Sequence, residues 1–212
     1  MNRFQDFTQE DTWRVFRIMS EFVEGFETLS RIKNAVTFFG SSRINSHNKY
    51  YKLAEETAHL FARNGYAVMT GAGPGIMEAA NKGAYKAGGE SIGLNILIPK
   101  EQVPNKYVKT LIEFRYFFCR KVMFAKYSKA FLVFPGGYGT LDEFFESLAL
   151  IQTQRIRKFP IILFDSKYWQ GLIEWLKSQT LGKKMIDEKD LNLFQIVETP
   201  KQALQIIKKF HK

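Results

Sequence analysis

Short apolar runs alternate with longer amphipathic stretches along most of this chain. AVTFF (35–39), AVMT (67–70), SIGLNILI (91–98), AFLVF (130–134), PIILF (160–164) and FQIV (194–197) predict strands. Helices are predicted near 49–64, 75–87, 140–153, 167–179 and 200–210. This is βαβ order, which implies an α/β fold: a parallel sheet with right-handed crossovers and helices on both faces, in a single domain over 31–212. Residues 1–30 form an N-terminal helical segment, in which Asp11 to Leu29 places Phe16, Met19, Val23 and Phe26 at three- and four-residue spacing. That apolar face is expected to pack on the domain's own core, with burial against a second subunit as the alternative.

Three predicted strands run straight into small-residue loops: Phe39 into Gly40, Ser41 and Ser42; Thr70 into Gly71, Ala72, Gly73, Pro74 and Gly75; and Phe134 into Pro135, Gly136 and Gly137. In an open α/β sheet such loops share one edge, where ligands bind. The third loop carries the most chemistry. Gly136, Gly137 and Gly139 let the backbone approach a ligand closely and adopt positive φ, and Thr140 is placed to cap a helix whose free amides attract an anion. Tight turning alone explains any one such loop; three together with a capped helix point to a nucleotide-like ligand. A P-loop string G-x-x-x-x-G-K-[ST] does not occur, and the spacing G-x-G-x-x-G fails because Ile76 and Asp142 stand where the last glycine should. Asp165, ending a later strand, stays open as a ribose ligand of the dehydrogenase kind.

With 45% hydrophobic residues, 212 residues fill one core and not two. No apolar stretch reaches the roughly 18 residues of a membrane span, and the start MNRFQDFTQEDTWR is polar where a secretory signal would be apolar, so a cytoplasmic protein without membrane partners is expected. The net charge of +10 attracts anions in general. Its basic residues are scattered, apart from small clusters at Arg155, Arg157 and Lys158 and at Lys208, Lys209 and Lys212, and no nucleic-acid motif accompanies them. They read as a solvated surface, with nucleic acid not the expected partner. Cys119 is the only cysteine and reads as a small buried hydrophobe; His47, His59 and His211 are dispersed, so no metal site is expected.

Two readings of Glu143 are open. With Thr140 it fits the capping box T-x-x-E, in which the glutamate turns back to its own helix start. Alternatively, three helical residues advance about 4.5 Å, so a phosphate on the Gly137–Thr140 amides would leave its ribose beside this carboxylate. There it would stabilise oxocarbenium-like charge or orient a water. Arg120 and Lys121 lie in FCRKVMFAKYSK (118–129), a predicted helix, where Arg120 is either a surface residue or a group that holds phosphate or a departing base. Met77 and Met123, with Phe124, line a base pocket or simply the core.

PGGYGTLDE (135–143), the RK pair, GAGPGIMEAANKGA (71–84) and FFGSSR (38–43) together resemble the Lonely Guy (LOG) family over nearly the whole chain. DTWRVFRIMSEFVEGFETL (11–29) is similar to the leading segment of a bacterial subgroup. The resemblance implies a Rossmann-like, doubly wound homodimer that hydrolyses the N-glycosidic bond of nucleoside 5′-monophosphates, with AMP and cytokinin nucleotides as expected substrates and no cofactor. It assigns Arg120 and Glu143 to the catalytic pair and Gly136, Gly137, Gly139 and Thr140 to the phosphate cradle. Gly40, Ser41, Ser42 and Gly73 come near the same ligand, with Glu78 on the helix after the second loop. The family's older label, lysine decarboxylase-like, finds no pyridoxal or pyruvoyl site here. The competing expectations are a non-catalytic nucleotide binder or sensor using the same crevice, and an RNA-binding module driven by charge.

Overall fold

The structure is a computed structural model that describes residues 13–98 and 103–211. Asp11 and Thr12 of the predicted first helix, and Lys212, lie outside the described residues. Strands β1 (Ala35–Phe39), β2 (Ala67–Thr70), β3 (Ser91–Ile96), β4 (Thr110–Phe114), β5 (Ser128–Val133), β6 (Ile161–Phe164) and β7 (Phe194–Val197) form one parallel sheet in the order β4-β3-β2-β1-β5-β6-β7. Helices α2 (Lys49–Arg63), α3 (Ile76–Lys86) and α7 (Pro200–Phe210) cover one face. On the other lie α1 (Arg14–Ser30), α4 (Phe117–Tyr127), α5 (Tyr138–Gln152) and α6 (Ser166–Trp175), the last running on into a π-helical turn at Leu176–Leu181.

The central strands are buried on both faces, which is why they read as unbroken apolar runs. β4 escapes the pattern because it is an edge strand: in TLIEF only Ile112 and Phe114 are buried. Under the loops, Phe134 at the end of the β5 run stacks between Phe38 of β1 at 5.9 Å and Phe164 of β6 at 4.3 Å. Each such pair adds about 0.5–1.5 kcal/mol beyond burial and stiffens the base from which the third glycine loop departs. Sheet order reverses between β1 and β5, so their loops flank the switch point where α/β sheets open a crevice.

The first helix corrects the sequence reading of its apolar face. Phe16, Met19 and Val23 face solvent at 61%, 55% and 63% exposure, and the buried positions are Glu21, Gly25 and Leu29. Two physical reasons select that side. A Cβ on Gly25 would lie 2.7 Å from Met123 Cε, so glycine lets α1 close on α4. The Glu21 carboxylate accepts the amides of Arg115 (2.9 Å) and Tyr116 (3.3 Å), which lead into α4, capping that helix from outside its own sequence.

Candidate active site

The three small-residue loops meet at the carboxyl edge of the sheet. Ser41 joins them through its backbone: its amide donates to Pro135 O and its carbonyl accepts from Ile76 N, both at 3.0 Å. Gly75, at φ 70°, leads α3, and a Cβ there would collide with the Ser41 carbonyl. Gly136 is equally confined, since its Cβ would meet Thr140 Oγ1 and the Ser41 amide. Gly40 packs against Ile76, and Ser42 is exposed beside Gly75. Gly137 and Gly139 instead face open space, where a side chain would occupy the mouth of the crevice.

Two local expectations change. None of Gly136, Gly137 and Gly139 has positive φ; the loops' left-handed residues are Ala72 and Gly75. The helix begins at Tyr138, two residues before Thr140, with Gly137 as N-cap and no side-chain cap, so the T-x-x-E capping box does not form. Thr140 lies inside the first turn and its amide turns back on Gly137 O at 3.0 Å. The leading amides of Tyr138 and Gly139 have no place in the intrahelical ladder, which leaves the helix start receptive to an anion.

Glu143 follows one turn later and is only 6% exposed. Burial raises its pKa from 4.5 to about 7, against the opposing pull of Lys121 and Arg120. Lys121 Nζ stands 3.8 Å from Glu143 Oε1, 2.7 Å from Asp142 Oδ2, and against Glu146 Oε2. Lys121 is therefore engaged by three carboxylates of α5 rather than held out toward a ligand. Arg120 points inward. Its guanidinium carbon lies 5.1 Å from the Phe117 ring and 5.7 Å from that of Phe124, its Nη1 lies 3.5 Å from where a Gly71 Cβ would stand, and its Nε is buried without a hydrogen-bond partner. Desolvation lowers its pKa, partly offset by Glu143 and Asp142. A cation and a near-neutral carboxyl thus lie beside the glycine loops, where proton transfer and charge stabilisation are both available.

Met77 is half-buried with its sulfur toward Gly71, at the second loop. Met123 and Phe124 are core residues, Met123 packed on Gly25. Glu78, in the first turn of α3, accepts the Tyr51 hydroxyl at 3.1 Å. Gly73 gives its carbonyl to Asn105 Nδ2 at 3.1 Å, within a partly buried network that also ties Asn105 to Ala72 O and to Asn81. Asp165 is not a free ribose ligand. Its carboxylate accepts Tyr50 OH at 2.7 Å, Lys49 Nζ at 2.9 Å and the Tyr168 amide at 3.3 Å, which lowers its pKa. Cys119 is fully buried and its thiol is pushed up to about 12 by burial. Among the described residues no cluster of His, Cys, Asp and Glu suits a metal, and no helix is long and apolar enough to cross a membrane.

Sequence reading missed Tyr168, whose hydroxyl donates to Gly136 O at 2.6 Å, and Glu21 and Asn105, which brace α4 and the second loop. Glu21 alone left a trace, as a carboxylate in line with Gly25 and Leu29 at helical spacing.

These elements define a doubly wound, all-parallel α/β protein whose glycine loops converge at a topological switch point. The chain belongs to the Lonely Guy family: residues 77–207 match the family described as "Possible lysine decarboxylase", and curated relatives carry the phosphoribohydrolase name. It is 28% identical over 184 residues to a probable cytokinin riboside 5′-monophosphate phosphoribohydrolase of Oryza sativa subsp. japonica, covering 83% of this chain and 70% of that one. To the cytokinin riboside 5′-monophosphate phosphoribohydrolase of Rhodococcoides fascians it is 30% identical, covering 68% and 74%. The fold is also that of a molybdenum cofactor binding protein from Rippkaea orientalis (TM-score 0.66, 23% identity, covering 86% of this chain and 99% of that one).

Proposed function

We propose that this protein hydrolyses nucleoside 5′-monophosphates, AMP or a cytokinin riboside 5′-monophosphate, to the free base and ribose 5-phosphate. The observation that carries this reading is Glu143: a carboxyl buried one turn into α5, near neutrality in pKa, beside Arg120 and the glycine loops. The curated relatives named above carry the name of a phosphoribohydrolase of cytokinin riboside 5′-monophosphate, which favours catalysis over simple binding.

In the proposed reaction the 5′-phosphate rests on the α5 start, against Gly137, Tyr138, Gly139 and the Thr140 hydroxyl, with Gly40, Ser41, Ser42 and Gly73 forming the rest of the rim. The ribose then lies along the first turn toward Glu143. The C1′–N bond breaks as positive charge develops on the sugar, and the Glu143 carboxylate stabilises that charge and takes a proton from the attacking water. The base leaves with the bonding electron pair, steadied by Arg120, and acquires a proton to become the free base. Met77 and Glu78 flank this space from α3. Lys121 acts at one remove, holding the Glu143 region through its ion cluster.

The test is incubation of purified protein with AMP and with a cytokinin riboside 5′-monophosphate, measuring base and ribose 5-phosphate together. Stoichiometric release of both, lost in Glu143→Gln while AMP still binds, is the expected result. Binding without release by the unaltered protein would leave only the nucleotide-binder reading. We further propose that the exposed Phe16–Met19–Val23 stripe of α1 is covered in a homodimer, since so large an apolar stripe on one helix is costly in water.

A further inference from the structure

We infer that a second ligand site lies in the groove between α4 and α5, and that it takes a small molecule carrying several phosphates. The groove has a volume of about 710 Å³ and runs down from Lys121 and Glu146 to the loop before β6 and the end of α7. Lys126, Lys129, Arg155, Arg157, Lys158 and His211 line it. These residues come from three separate parts of the chain, and the Arg155–Lys158 cluster, which in the sequence reads as a solvated surface, is brought by the fold into a concavity.

Three features separate this groove from an ordinary basic surface. Apart from Lys121 at its upper end, its lysines and arginines are not neutralised: among the described residues neither Lys126 nor Lys129, Arg155, Arg157 or Lys158 makes an ion pair. The one acidic lining residue, Glu146, is already held by Lys121. Like charges gathered in a cleft repel one another and focus a positive potential into it, so the arrangement favours a multivalent anion. The floor is apolar, with Phe159 and Leu150 beneath and Tyr127 and Phe210 at the sides, which gives a ring or base a surface to lie against.

Size and shape select the occupant. A half-open groove of this volume matches a nucleotide-sized molecule, whereas a polymer would be tracked by an extended basic stripe. Two arginines supply the planar donors that phosphate oxygens accept in pairs. The site is also distinct from the crevice proposed for the monophosphate. It opens at the start of β5, and that six-residue strand carries the chain about 20 Å before the glycine loop begins. Its upper end nevertheless reaches Lys121, 3.8 Å from Glu143, so an anion that draws this ammonium away would alter the surroundings of that carboxylate.

Calorimetric titration of the full chain tests this, with inorganic tripolyphosphate and ATP as probes and without reliance on turnover. The expected result is one site per chain for each probe, weakening steeply from about 50 to about 200 mM salt. ATP bound more tightly than tripolyphosphate adds a contribution from the aromatic walls. Arg155→Glu/Arg157→Glu/Lys158→Glu, and separately Lys126→Glu/Lys129→Glu on the opposite wall, should each lower affinity about tenfold or more. Both variants should keep the melting temperature of the parent and its rate on AMP. No measurable heat with either probe, unchanged affinity in both variants, or full displacement by AMP would each overturn the proposal. So would a preference for single-stranded RNA with several chains bound per strand, which would make the groove a nucleic-acid surface. Failure of AMP hydrolysis with tripolyphosphate binding intact would strike the proposed function and leave this site standing.

Discussion

The Tyr168 hydroxyl donates a 2.6 Å hydrogen bond to the carbonyl oxygen of Gly136, tying the start of α6 to the glycine loop at the end of β5. Tyr168 is itself set by Asp165, which accepts its amide and is anchored in turn by Tyr50 and Lys49. The loop is thus braced from helix α6 as well as from Ser41.

Tyr168→Phe removes that brace while keeping the ring against Trp169, 4.9 Å away. A net hydrogen bond of about 1 kcal/mol corresponds to roughly a fivefold rise in KM for AMP, with kcat changed less than about twofold. Steady-state kinetics on the variant measure the split, and a fall in kcat alone would mean that Tyr168 does not act through phosphate binding.

Glu143 has to be ionised to stabilise positive charge on the sugar, and its pKa is about 7. kcat/KM should therefore climb about tenfold per pH unit on the acid side and level off above that value. An acid limb near the ordinary glutamate range would assign the profile to another group.

The same shift has a consequence for stability, with a definite sign. Burial raises the folded pKa from 4.5 to about 7, so the stability that neutral Glu143 contributes is fully present below 4.5 and is lost as pH rises toward 7. The loss is at most about 3 kcal/mol. Glu143→Gln stays neutral at every pH and should flatten this slope, visible as urea midpoints that no longer fall between about pH 5 and about pH 8.

How much of this was legible in the sequence follows from where the information sits. The central strands and the glycine loops are local patterns: AFLVF is buried on both faces and PGGYG must turn at once, so both could be read directly. Edge strand β4 could not, because half-exposed TLIEF lacks a continuous apolar run. Thr140 looked like a cap because T-x-x-E is a capping string, yet Gly136 and Gly137 let the helix start earlier. Tyr168 and Glu21 work across 32 and 94 residues of chain, a separation that no local pattern encodes. The α1 stripe was read correctly as apolar and wrongly as inward, since periodicity fixes a face and not its partner.

If that stripe is covered by a second copy, one charge at its centre should separate the copies. Val23→Glu is expected to convert a dimer to a monomer in sedimentation velocity runs without altering the circular dichroism of the fold. A parent protein that sediments as a monomer at all concentrations would remove the dimer from consideration.

Glu21→Leu tests the other side of the same helix. It leaves the Arg115 and Tyr116 amides without an acceptor, at a cost of about 1–3 kcal/mol by urea unfolding.

Because a carboxylate from α1 seats the beginning of α4, the leading helix is not a detachable appendage. A shortened version opening at the first strand would keep the sheet and every glycine turn, yet it would strip the lid from Met123 and leave the stem that bears Arg120 unmoored at its head. Removal of the leading helix would therefore be felt at the guanidinium on α4 and not at the sheet.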